Sequence, residues 1–251
     1  MRDNFNAKKC LKALVTRTRA WFDENAPVAK AIIGISGGKD SAIAAGILVR
    51  ALGRARVIGV MMPCGEQSDI EDSKRVINAL DIEGFEINIA GAFNSFVNEM
   101  DNSPYEILPD AAINLQPRLR MAALYMVAQS CPYGGIVINT CNYSEDYVGY
   151  ATKFGDCAGD ISILGDLLVS EVVALGDEMK ELPTDIVHKT PSDGLWGDSD
   201  EKRLGFTYEE LERYIIGDLD LPLEVEDKIQ KMHAASRHKY NPMTIIYPFI
   251  Y

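Results

Sequence analysis

The sequence predicts an α/β protein: a doubly wound, mostly parallel sheet with helices on both faces and a helical C-terminal part. Three observations predict it. Short apolar runs at Ala31–Ile33, Arg56–Met62, Phe85–Ile89 and Gly135–Thr140 alternate with stretches of helical period at Ala42–Leu52, Gln67–Leu80 and Asn114–Ser130. Such alternation sets strands parallel, with the helices returning over the sheet. The first apolar run stops at the turn GISGGKDS, residues 34–41, and restarts as a helix. Beyond these units the pattern is mainly helical: Val169–Met179, Thr207–Ile216 with Thr207 and Glu210 in capping-box spacing, and Leu223–Arg237.

Before the first strand, Phe5–Phe22 carries Leu11, Leu14, Val15, Ala20 and Trp21 among basic residues, the pattern of an amphipathic helix. In Asn114–Ser130, Pro117 is costly inside a helix, by about 3 kcal/mol, so Asn114 is expected as the N-cap with Pro117 in the first turn. The final residues, NPMTIIYPFIY, are too apolar to hang free and are expected to pack on the chain itself or on a second subunit.

The chain of 251 residues can bury a sizeable core, and no Pro/Ser/Gly-rich linker divides it, so one domain over 1–251 is expected. A formal net charge of −12 argues against a nucleic-acid partner, because neutralising many phosphates needs a basic face. The cysteines at 10, 64, 131, 141 and 157 form no CxxC pair and are odd in number, which argues against a disulfide scaffold and structural zinc. His188, His233 and His238 match no zinc signature. There is no basic-then-apolar leader and no long uninterrupted apolar stretch, so the expected location is cytoplasmic, with no membrane span.

Two segments carry chemistry. In GISGGKDS a strand ends at small residues and a helix begins, leaving N–H groups and the positive helix end facing outward. Gly34, Ile35, Ser36, Gly37, Gly38, Lys39, Asp40 and Ser41 therefore form a phosphate cradle with hydroxyl and ammonium donors. The spacing is neither that of the Walker loop nor that of the dinucleotide fingerprint. The second segment, NTCNYSEDYVGYATKFGDCAGDIS from Asn139, places Thr140 and Glu145 in the loop after a strand, with Lys153 and Asp160 beyond. A hydroxyl, two carboxylates and an ammonium at the carboxyl edge of a parallel sheet suit a magnesium-nucleotide site.

Ser-Gly-Gly-x-Asp-Ser resembles the loop of enzymes that cleave ATP between its α and β phosphates. Further blocks, NLQPRLRM at 114, Thr140–Ile161, KTPSDGLW at 189, LGFTYEEL at 204 and RHK at 237, resemble the NAD synthetases of the ammonia-dependent kind. The resemblance covers nearly the whole chain and implies a Rossmann-like fold of the ATP pyrophosphatase type. It implies Gly34–Ser41, Thr140 and Ser192 as ATP contacts, Asp40 and Glu145 as ligands of Mg2+, and Arg118, Lys153, Asp160, His238 and Lys239 as contacts to deamido-NAD. The expected catalytic groups are Asp40 and Glu145, acting through the metal, and Lys39. Partners would be deamido-NAD, ATP as co-substrate and ammonia, in a homodimer. No glutaminase domain fits the length, and Cys10 is not an N-terminal nucleophile, so the ammonia is free or comes from a separate protein.

One departure stands out. Family members carry a Lys nine positions after the residue matching Asp160, where it contacts ATP phosphates; here that position is Val169. Loss of one charge-assisted contact costs about 1.5–3 kcal/mol unless another cation such as Lys39 substitutes. A catalytically weakened nucleotide-binding relative, or another ATP pyrophosphatase-type amidotransferase, is the alternative. A tRNA-thiolating enzyme would want reactive cysteines and a basic surface.

Overall fold

A computed structural model describes residues 1–67, 69–190, 200–218 and 220–240. Its centre is a parallel five-stranded sheet of β1 (Lys30–Gly34), β2 (Val57–Met61), β3 (Glu83–Glu86), β4 (Gly135–Asn139) and β5 (Ile161–Ser162), in the order β3-β2-β1-β4-β5. Both strands flanking β1 run parallel to it, in register Ile33 with Gly59 and Ile33 with Ile138. The strand order therefore reverses between β1 and β4, and a doubly wound sheet opens its ligand crevice beyond the carboxyl ends at that point.

Each face has its own cover. On one side α1 (Ala7–Asn25), α2 (Lys39–Leu52) and α7 (Val169–Asp177) bury Ala31, Ile33 and Val57 with Phe22, Ile43, Ile47, Val172 and Leu175. On the other, α5 (Pro109–Ser130) covers Ile32, Ile58, Val60 and Val137 with Leu124, Tyr125 and Ala128. Strands buried on both faces read as continuous apolar runs, and β1 and β2 do so. A separate apolar cluster joins Val148 of α6 (Tyr143–Val148) and Val169 to Leu204 of α9 (Asp200–Leu204), Leu211 of α10 (Tyr208–Ile215) and Ile229 of α11 (Leu223–Ser236). Thr207 caps α10 in the capping box with Glu210 that the spacing predicts.

Several expectations shift. Strand β3 starts at Glu83, two residues before the predicted run, because hydrogen bonding to β2 and not apolarity defines an edge strand; bonds from Ile87 N and Ile89 N still extend the ladder. Helices α3 (Ile70–Leu80) and α5 start at different points from those predicted, and α4 (Ala90–Met100), α8 (Thr184–Val187) and β5 were not legible at all.

Helix α5 corrects the reading of Pro117. The helix begins at Pro109, and Asn114 lies inside it, its amide bonded back to Asp110 O. Pro117 is thus in the third turn, and its docking explains why: a Cβ on Gly155 would stand 2.8 Å from Pro117 Cβ, so the 150–157 segment packs directly on the proline ring. Thr152 Oγ1 donates to Asn114 Oδ1 at 2.6 Å beside it. Tertiary packing offsets the lost helix bond.

Candidate active site

The glycine turn closes as a compact hydrogen-bonded loop. Gly38 N donates to Ser36 Oγ at 3.2 Å, Ser36 N donates to Ser41 Oγ at 3.3 Å, and Ser41 Oγ donates to Gly38 O at 3.1 Å. Ile35 N stays on the sheet, donating to Val60 O at 2.9 Å. Gly37 has φ +80°, and a Cβ there would meet Asp72 Cβ at 3.0 Å and Ser73 N at 3.1 Å on α3. No side chain fits. Helix α2 starts at Lys39, so Lys39, Asp40 and Ser41, which the sequence pattern assigns to the loop, form the helix's first turn.

Glu145 is also on a helix and not in a loop, which corrects the expectation for the segment after β4. Asn142 caps α6, accepting from Glu145 N at 3.1 Å, while Glu145 Oε2 accepts from Asn142 N at 3.4 Å. The Asn142 amide, fully buried, also donates from Nδ2 to Asp40 Oδ1 at 3.1 Å. One asparagine thus ties the two carboxylate helices together across the switch point. Desolvation and the neighbouring Asp40 carboxylate push the Glu145 carboxyl up to about 8, with Lys39 pulling the other way.

Lys39 does not extend toward the open loop. It is only 4 % exposed, and its Nζ lies 2.8 Å from Asp40 Oδ2. Asp200, buried at the start of α9, accepts from Tyr150 Oη at 3.2 Å and Tyr208 Oη at 3.4 Å, and its charge also acts on Lys39 and Glu145.

Asp40 and Glu145 suit a magnesium ion. They are hard oxygen donors held together by one cap residue. No group of three or more His, Cys, Asp or Glu among the described residues could hold a metal ion.

The remaining nucleotide candidates fall out differently. Thr140 follows β4 directly, on the strand next to β1, so it faces the same edge as the glycine turn. Ser192 lies outside the described residues. Val169 opens α7 and packs into the apolar cluster with Val148, Leu204 and Phe206; its N–H donates to Ser144 Oγ at 3.2 Å. A cavity of about 690 Å³ opens beyond the carboxyl ends of β2 and β3, lined by Pro63, Gly65, Gln67, Ile70, Glu86 and Asn88.

The dinucleotide candidates border one segment, 149–160. Arg118 Nε donates to Lys153 O at 3.3 Å, and Lys153 Nζ stands 5.2 Å from the Phe154 ring centroid. Lys239 Nζ donates to Gly149 O at 2.6 Å and Ala151 O at 2.7 Å, and His238 beside it is exposed. Asp160 lies further back: Oδ2 accepts from Val137 N at 2.8 Å and Oδ1 from Tyr125 Oη at 3.1 Å, which caps the mid-strand edge of β4. It does not sit at the carboxyl edge with Thr140.

Asn142 and Asp200 escaped the sequence reading. The Asn-x-x-Glu spacing of Asn142 and Glu145 is a legible capping signal; nothing in the sequence marks Asp200. All five cysteines are free, and burial pushes the Cys141 thiol up and the Cys157 thiol to about 11, so neither is a thiolate.

With this geometry in place, comparison decides the family. The sequence model of the NAD synthase family matches residues 13–243. The chain belongs to the NAD synthase family. An NH(3)-dependent NAD(+) synthetase of Carboxydothermus hydrogenoformans is 34% identical over 225 residues, covering 87% of this chain and 90% of that protein. Another, of Syntrophomonas wolfei, is 36% identical over 247 residues, covering 94% and 97%. Among solved structures, an NMN synthetase of Francisella tularensis superposes with a TM-score of 0.88 at 34% identity, covering 98% of this chain and 100% of that one. The NAD synthase family thus accounts for the α/β architecture and for its ATP-dependent ligase chemistry.

Proposed function

We propose that this chain, read as one NAD synthetase domain over 1–251, amidates deamido-NAD to NAD with ammonia at the expense of ATP. The observation that carries the reading is the Asp40–Asn142–Glu145 connection across the β1/β4 switch point, directly beside the glycine turn. The nicotinate carboxylate attacks the α phosphate, giving an adenylylated substrate and pyrophosphate; ammonia then displaces AMP and leaves the amide. The loop amides around Gly37 and Gly38 hold the departing pyrophosphate, and Ser36, Ser41 and Thr140 supply hydroxyls. Bound magnesium would neutralise phosphate charge, with Asp40 and Glu145 as its protein ligands. Arg118, Lys153, His238 and Lys239 orient the dinucleotide along the 149–160 segment, with Asp160 holding the edge of β4 behind it, and Ser192 is read as an ATP contact from its sequence block. No side chain is required as general base, since unprotonated ammonia is already nucleophilic.

The proposed assembly is a homodimer, and the proposed location is the cytoplasm. No helix among the described residues is long and apolar enough to cross a membrane. Helix α4 buries none of its residues, and Phe96 on α4, Leu108 just before α5 and Met126 on α5 stand 55%, 63% and 72% exposed, apolar surface that a second copy would cover. Sedimentation equilibrium tests this, a monomer at micromolar concentration being the contrary result.

The deciding assay supplies ATP, magnesium, ammonium and deamido-NAD and follows AMP and NAD together; equal amounts are expected. AMP without NAD, or tight dinucleotide binding without AMP, would overturn the proposal in favour of a weakened relative. A second reading rests on the Francisella NMN synthetase: nicotinate mononucleotide presents the same pyridine carboxylate. A higher kcat/KM for the mononucleotide than for deamido-NAD, measured side by side, would establish it.

A further inference from the structure

We infer that Lys189 is a positioning residue for ATP: it holds Asp69 and Asp72 in one shared ion pair behind the glycine turn, and so limits their repulsion of the phosphates. The inference rests on the reading of that turn as the phosphate site and adds a residue to which no substrate contact is assigned. It starts from the wall behind Gly37. A Cβ on Gly37 would stand 3.0 Å from Asp72 Cβ, 3.1 Å from Ser73 N and 3.2 Å from Ser73 Oγ, so the first turn of α3 lies directly against the cradle. That helix end carries Asp69, Glu71 and Asp72. Acids suit a helix N-terminus, but they also cancel its attraction for a phosphate nearby.

Each acid has a partner. Glu71 is exposed and receives Lys74 Nζ at 2.6 Å. Asp72 Oδ1 accepts from Arg75 Nη1 at 3.1 Å, but Arg75 gives two shorter bonds, 2.7 and 2.8 Å, to Asp185 on α8. Lys189 serves two acids at once: its Nζ donates to Asp69 Oδ2 and to Asp72 Oδ2, both at 2.8 Å. The Lys189 bond holds the Asp72 carboxyl below its ordinary value. Against the pull of burial, bonds from Lys189 and Gln67 hold the Asp69 carboxyl low as well. Both are therefore ionised, and one ammonium halves their combined charge.

The ion pair also fixes where the wall stands. Gln67 Nε2 donates to Asp69 Oδ1 at 2.8 Å and lines the cavity of about 690 Å³ beyond β2 and β3. The pair thus reaches from Gly37 at one end to that cavity at the other. Lys189 approaches from the opposite side, just after α8, whose Ile186 and Val187 are buried in the core with Ile43 and Ile47 of α2. Ser73 does not share the task. It is fully buried, and its Oγ has no hydrogen-bond partner among the described residues, so it meets Gly37 by packing alone.

The test reads the ATP KM of the full chain in the AMP-forming assay. Lys189→Met is expected to raise it about fivefold, while kcat at saturating ATP and the KM of the pyridine substrate stay within about twofold. Adding Asp72→Asn to Lys189→Met should return the ATP KM to within about twofold of the wild type, because one carboxylate charge leaves with the ammonium. An ATP KM unmoved by Lys189→Met overturns the inference, and so does a rise shared by the pyridine substrate. A rise that Asp72→Asn fails to restore also overturns it, since a lysine that touched phosphate itself would leave that defect in place. Should Lys189→Met not fold, Asp72→Asn alone decides: it is expected to lower the ATP KM by about two- to threefold, and an unchanged or raised KM refutes the repulsion. A Gly37→Ala chain with the wild-type ATP KM would remove the phosphate turn itself, which separates failure of the site assignment from failure of the role of Lys189.

Discussion

Asn142 Nδ2 donates to Asp40 Oδ1 at 3.1 Å, joining the first turn of α2 to the N-cap of α6 across 102 residues of sequence. The same side chain accepts the N–H of Glu145, so one residue orders both carboxylates. Removing it loses a cap worth about 1 kcal/mol and a charged hydrogen bond worth about 1.5–3 kcal/mol. Asn142→Ala should destabilise the fold by roughly 2–4 kcal/mol in urea unfolding. Asn142→Ser keeps a cap but cannot reach Asp40, and should regain stability without regaining kcat/KM. Equal recovery of both would show that the contact with Asp40 is idle.

The raised Glu145 carboxyl makes stability depend on pH. Its folded value, about 8, lies above its ordinary 4.5, so the folded state keeps a proton that the unfolded state has released. Stability therefore falls as pH rises through this window, and the loss is complete above about 8. Asp146, raised to about 6 by burial, adds a slope of the same sign but only at the acid end. In metal-free protein, Tm should decline between pH 6 and 8, and Glu145→Gln, which keeps the capping acceptor, should flatten the decline. Magnesium needs the ionised carboxylate, so its affinity should rise over the same range. Parallel melting profiles for the two proteins would contradict the assignment.

Gly37 and Gly38 are adjacent but not equivalent. Gly37 has φ +80° and no room for a Cβ, whereas Gly38 has φ −92° and would meet only Ser36 Oγ, at 3.3 Å. Strain at a left-handed position costs about 1–3 kcal/mol. Gly37→Ala is expected to raise the ATP KM by about tenfold, and Gly38→Ala by much less. Calorimetric titration with ATP would reveal the order, and the reverse order would refute this account of the loop.

Lys239 is bonded to two backbone carbonyls, Gly149 O and Ala151 O, while His238 is exposed. Its ammonium thus holds the segment that borders the proposed dinucleotide site. Lys239→Met should lower Tm by several degrees and raise the KM for deamido-NAD, with little effect on the KM for ATP. His238→Ala should leave Tm alone. A Tm unchanged by Lys239→Met would mean that the lysine serves substrate only.

Much of the fold was legible because its signals are local. Apolar runs for β1, β2 and β4, the Ser-Gly-Gly turn and the Thr207–Glu210 box each depend on neighbours a few residues away. Glu145 is legible as a ligand candidate, but the polar residues around it read as a loop, and the short helix they form depends on the Asn142 cap. Pro117 was misread for the opposite reason: local cost argued for a helix start, and contact with Gly155 outweighed it.

By itself the sequence determined a parallel α/β sheet with an anion-binding turn after its first strand, since strand period, helix period and glycine conformation are properties of short stretches of chain. The tertiary structure alone decided that Lys39 faces Asp40 and not the open turn, that Asp160 caps the edge of β4, and that Asp200 joins the charged cluster. Each of these is settled by groups that are distant in the chain and close in space, where the Coulomb energy and the cost of desolvation are set by the whole neighbourhood.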